Sequence, residues 1–173
     1  MKHARSVIHK TLRCLILAGT MLALTSHADE YADTSELVRA NKFAEALAKV
    51  DSYLINKPAD PQMRFLKGVI QRNLGQQDEA MATFTSLTQD YPELAEPYNN
   101  LAVLHAAQGA HDKARVALEM AIRTNPGYAT AFENLGDVYA RLAGQAYNKA
   151  LQLDSGNAQV PRKLNLISEL VKP

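Results

Sequence analysis

Apolar residues recur at three- and four-residue spacing through most of this 173-residue chain. Phe43, Ala46, Leu47, Val50 and Leu54 form one stripe, and Phe65, Leu66, Val69 and Ile70 form another. Ala80, Phe84 and Leu87 mark a helix over 78–88. Tyr98, Leu101, Ala102 and His105 follow, then Ala114, Leu118, Ala121 and Ile122, then Phe132, Leu135, Gly136 and Tyr139. This spacing puts each set on one face of an amphipathic helix. Breakers separate the stripes. Ala40-Asn41-Lys42, Gly75 and Gly109 read as turns, and Pro58, Pro92 and Pro126 as stops.

The breakers and the small residues share one period. Pro58, Pro92 and Pro126 are 34 residues apart, as are Ala46, Ala80 and Ala114, and Gly68, Ala102 and Gly136. Several independent positions with one period mark a repeat array. The expected units are approximately 29–60, 61–94 and 95–128, then a shortened unit over 129–157. In the last unit the segment Gln145 to Leu153 arrives about five residues early, after Ala143-Gly144. That predicts a shortened helical hairpin. A capping helix is expected over 158–171, with Pro161 near its start. It would cover the last apolar face and leave Arg162, Lys163, Glu169 and Lys172 in water, as terminal repeats require.

Phe132-x-x-Leu135-Gly136-x-x-Tyr139, and Ala80-x-x-x-Phe84 followed by Pro92, resemble the tetratricopeptide repeat (TPR) pattern. The resemblance covers about Tyr31 to Val171 and implies an all-α solenoid of helical hairpins, about three and a half repeats plus a C-terminal capping helix. In such an array small residues at 68, 102 and 136 let paired helices approach, and Phe84 and Tyr139 fill the space between units.

Composition agrees with packed helices. Hydrophobic residues are 47% and aromatic ones only 6%, with no Trp, a poor mix for a sheet. The net charge of +1 divides unevenly. Residues 1–28 hold Lys2, Arg5, Lys10 and Arg13 and no acid, leaving 15 basic against 18 acidic residues beyond. A weakly acidic body lacks the concentrated basic face of a nucleic-acid binder. The basic start, the uncharged run from Cys14 to Leu24 and the small-residue exit Ser26-His27-Ala28 read as a signal peptide over 1–28. The mature chain, 29–173, is then expected to be exported, periplasmic and soluble, touching membrane only through the signal peptide before cleavage. Cys14 is the only cysteine, so thiolate catalysis, disulfides and Cys–metal sites are excluded from the body.

The TPR resemblance implies a concave groove lined by the first helix of each unit. Its residues would be Gln62, Phe65, Val69 and Arg72, then Glu96, Asn99, Val103 and Ala106, then Thr130, Glu133, Asp137 and Arg141. Phe65, Val69 and Val103 would form an apolar strip flanked by Arg72 and Arg141 and by Glu133 and Asp137. A protein or peptide partner, as an extended segment or a helix, is the natural occupant. One TPR subclass clamps a C-terminal carboxylate with basic residues. Its positions are filled here by Tyr31, Ser35, Leu66, Glu96 and Asn100, or in the next frame by Phe65, Val69, Asn100, Thr130 and Asn134. Neither set is basic, so that mode is rejected.

His105 and His111 are the one candidate metal pair. Their slots hold Leu37 and Phe43 in the first unit and Gln71 and Gln77 in the second. No third ligand at suitable spacing is evident, so polar filling of a helix seam is the preferred reading and no metal or cofactor is expected. Phosphate loops, Gly-x-Ser-x-Gly and His-Glu-x-x-His are absent. Glu133 and Asp137, four apart, suit recognition of a basic partner better than acid–base chemistry. The expected function is a non-catalytic exported scaffold for envelope-complex assembly. The alternative is a structural subunit that self-associates, as a homodimer, through the irregular fourth unit.

Overall fold

The computed structural model describes residues 30–171. The expected signal peptide over 1–28, Cys14 and Lys172 lie outside them. All regular structure among the described residues is helical: α1 over residues 30–39, α2 Phe43–Asn56, α3 Pro61–Asn73, α4 Gln77–Asp90, α5 Ala95–Ala107, α6 His111–Thr124, α7 Ala129–Leu153 and α8 Val160–Leu170. No described helix is long and apolar enough to cross a membrane.

The chain divides into two compact units, one ending at Leu74 and one beginning at Gly75. In the first, Ala46 and Val50 of α2 meet Met63, Leu66 and Ile70 of α3, with Leu37, Val38 and Phe43 packed around them. Ion pairs brace this core. Lys49 Nζ reaches Asp33 at 2.7 Å and Glu30 at 3.4 Å, and Lys67 reaches Asp51 at 2.7 Å. Asp60 caps α3 by accepting from the Met63 amide at 3.0 Å, and it also accepts from the Tyr53 hydroxyl at 3.0 Å. Burial and this carboxylate partner push the Tyr53 phenol up to about 12.

In the second unit Ala95 and Ala102 of α5, Ala114, Leu118 and Ala121 of α6, and Ala131 and Val138 of α7 make one core. Small residues at the α5–α6 seam let those two helices approach closely, as the 34-residue spacing implies. Phe84 and Leu87 of α4 are fully buried.

The turns follow the period. Gly75 and Gly109 have φ of 77° and 73°, and Asn41 takes the equivalent place at 57°. Asn tolerates this left-handed region better than other side chains.

The last unit departs from expectation. The shortened hairpin over 129–157 is not formed, and Ala143-Gly144 is no turn. Helix α7 runs unbroken for 25 residues. The physical reason is the missing turn segment: neither Gly144 nor its neighbours take a positive φ, and Arg-Leu-Ala before it are good helix formers. Gly136 is consequently exposed, with nothing within 4 Å of where a Cβ would stand, and Tyr139 is 49% exposed. Gly136 therefore marks no close approach between helices. The close approach lies instead at buried Gly144, where a Cβ would come 3.4 Å from Ile167 Cγ2. There α8 packs on α7 as the expected cap, with Val160 buried and Arg162, Lys163 and Glu169 in solvent.

Candidate functional site

Helices α5 and α7 lie side by side in the second unit, and a side-chain strut fixes their spacing. Asn134 Nδ2 of α7 donates to Asn99 Oδ1 of α5 at 2.8 Å. Asn99 is buried, so it forms the floor of this face. It is not the free contact that the sequence pattern suggests. Asn134 belongs to the site for the same reason, and the signal for it is the 34-residue spacing from Asn100. Asn100 Nδ2 donates to the Glu96 carbonyl at 2.9 Å.

Around this floor Glu96, Thr130, Glu133, Asp137 and Arg141 are exposed, and Val103 and Ala106 are half-buried. Thr130, Glu133, Asp137 and Arg141 recur at three- and four-residue spacing, so one face of α7 presents all four. Three carboxylates against one guanidinium make the face acidic. Burial raises the Tyr128 hydroxyl above its ordinary value, with the Glu96 charge adding to the effect. Glu96 stands in the first turn of α5.

The remaining expected groove residues belong to α3 in the first unit. Gln62 is exposed, whereas Phe65, Val69 and Arg72 are half-buried. Phe65 is therefore not the open aromatic that an apolar strip calls for. The Val69 carbonyl accepts from Asn73 Nδ2 at 2.8 Å.

His105 and His111 are half-buried, and each has a buried Nδ1 without a hydrogen-bond partner. Burial, with the nearby Lys113 ammonium, lowers the His105 pKa below 6.5. His105 lines a shallow hollow with Tyr98, Asp112, Lys113, Val116, Ala117 and Met120. No group of three or more His, Cys, Asp or Glu side chains suited to a metal occurs among the described residues.

Models of the tetratricopeptide repeat match residues 35–95 and 95–128. The chloroplastic tetratricopeptide repeat domain-containing protein PYG7 of Arabidopsis thaliana is 34% identical over 88 residues, 48% of this chain and 29% of that protein. The chain thus spans under a third of the length of this relative. Among solved structures, a thermophilic TPR protein of Thermus thermophilus, TTC0263, superposes with a TM-score of 0.62 at 22% identity, over 80% of this chain and 79% of its own. YrrB, a TPR protein with an unusual peptide-binding site, gives 0.56 at 27% identity over 60% of this chain and 54% of its own.

Proposed function

Because this chain belongs to the tetratricopeptide repeat family, we propose that it is a non-catalytic scaffold that binds a protein or peptide partner on the face formed by α5 and α7. One observation carries this reading: Glu96, Glu133 and Asp137 stand exposed around half-buried Val103, over a floor locked by the Asn134–Asn99 hydrogen bond. A fixed floor lowers the ordering cost of binding. The carboxylates select a basic segment and accelerate its capture. The ligand is then an extended stretch carrying Lys or Arg, with a small apolar side chain set against Val103. The peptide-binding site of YrrB is in keeping with this use of the fold.

The test uses fluorescence anisotropy with a labelled Lys/Arg-bearing peptide and its Glu-substituted counterpart. The unaltered chain should bind the basic peptide at least about tenfold more tightly at low salt, the equivalent of about 1.4 kcal/mol. The preference should weaken as salt is raised. Glu133→Lys with Asp137→Lys should invert it. Equal affinity for both peptides, or a preference untouched by the double change, contradicts the reading.

The proposal extends to place. The basic start, short apolar run and Ser26-His27-Ala28 exit support export and work in the envelope, in assembly of a larger complex. Intact-mass measurement on protein recovered from the envelope should find a chain beginning at Asp29. A chain retaining Met1 there would rule out cleavage.

A further inference from the structure

Helix α7 carries the two halves of a helical hairpin on one unbroken rod. In the third repeat, Tyr98 and Ala102 of α5 share a core with Ala114, Leu118 and Ala121 of α6. A shift of 34 residues takes Tyr98, Ala102 and His105 to Phe132, Gly136 and Tyr139. The α6 pattern Ala114-x-x-x-Leu118-x-x-Ala121 also recurs, as Ala143-x-x-x-Tyr147-x-x-Ala150, but after only 29 residues. The five residues lost correspond to Gly109-Ala110-His111-Asp112-Lys113, the turn that lets α6 fold back on α5. Without that turn the second half of α7 cannot reach the first half. Phe132 is left 51% exposed and Tyr139 49%, and there is open space over Gly136.

We propose that a second copy of this chain supplies the missing helix, the two α7 rods pairing antiparallel as a swapped dimer. At about 100° per residue, Phe132, Gly136, Tyr139, Ala143, Tyr147 and Ala150 all fall on one stripe of α7; its first three residues are exposed, and Ala143, Tyr147 and Ala150 are half-buried, with Lys163 of α8 at one side of the Tyr147 ring, 5.3 Å from its centroid. None of the stripe residues is charged, so like meets like without repulsion. Antiparallel pairing about a two-fold axis near residue 141 sets Phe132 against the partner's Ala150, Gly136 against the partner's Tyr147 and Tyr139 against the partner's Ala143. These are the pairings of a complete repeat, formed twice between copies. Exchange of an identical element is a low-cost route to a closed dimer, and a shortened hinge favours it.

The buried area starts from the exposed aromatics. Covering the exposed halves of Phe132 and Tyr139 in both copies removes roughly 400 Å² from water, since such side chains carry about 150–250 Å² each. The paired rods, over roughly 28 Å of helix, bring the total toward the about 1,200 Å² at which specific interfaces begin. The face of α7 bearing Glu133, Asp137 and Arg141 lies elsewhere around the rod and stays open.

Size-exclusion chromatography with light scattering, on the purified chain over a dilution series, should give twice the chain's mass. Inserting a copy of residues 109–113 between Leu142 and Ala143 restores the turn and should give a monomer. Phe132→Glu with Tyr139→Glu, at positions already half-exposed in the single chain, should also give a monomer with its helical circular dichroism intact. If the double Glu chain loses that signal, the insertion decides. A monomeric mass for the unaltered chain at its highest attainable concentration overturns the proposal, as does a dimer that survives the turn insertion.

Discussion

His105 shows how one side chain couples this fold to pH. Burial, with Lys113 nearby, lowers its pKa in the folded protein below 6.5. Lys113 and Asp112 are the charged groups lining the same hollow, and Tyr98 is the other titratable one. The unfolded chain therefore binds the His105 proton more readily than the folded one. Stability rises with pH wherever the unfolded state holds more protons. It should be full above about 6.5, the unperturbed histidine value, and should fall as pH drops below it. His105→Gln, which copies Gln71 of the second repeat, should flatten that slope. Urea unfolding between pH 5 and pH 8, read against a roughly 1–3 kcal/mol per molar urea dependence, checks this. An unchanged slope would mean that His105 is not the titrating group. The sequence marks His105 and His111 as unusual. It does not show that both Nδ1 atoms are buried without a partner, because that depends on how α5 and α6 close over them.

Among the elements, turns are the most legible part and the fourth repeat the least. Gly75 and Gly109 stand out because their φ values are ones that side chains avoid. The open space at Gly109 means that Gly109→Ala meets no clash, so its cost is backbone strain alone, roughly 1–2 kcal/mol. Thermal unfolding should register that loss, while Asn41→Gly should be neutral or slightly stabilising. Comparable effects at both positions would show that the left-handed turn is not what constrains them. The hairpin expected over 129–157 fails for a reason of the same kind. A helix break needs a residue that prefers another conformation, and Gly144 is comfortable inside a helix when another helix packs on it, as α8 does through Ile167. The consensus residues Phe132, Gly136 and Tyr139 do stand on a first helix, as their pattern implies. Their burial depends on a second helix that this chain does not fold back.

For the molecule as a whole, the 34-residue period is enough to establish fold class, since each position in it reports the same packing. The proposed binding face is legible in part. Periodicity puts Thr130, Glu133, Asp137 and Arg141 on one side of α7, where the structure exposes them. Asn99 and Phe65 are harder, because the burial of both depends on neighbouring helices, and Asn99 is taken up by Asn134. In the proposed function, an acidic face on α5 and α7 captures a basic extended segment. Titrating a Lys/Arg-bearing peptide into ¹⁵N-labelled protein tests it most directly by NMR. The shifting amides should cluster at Glu96, Val103, Thr130, Glu133 and Asp137. Shifts confined to the hollow around Tyr98, Val116 and Met120, or none at saturating peptide, would contradict it.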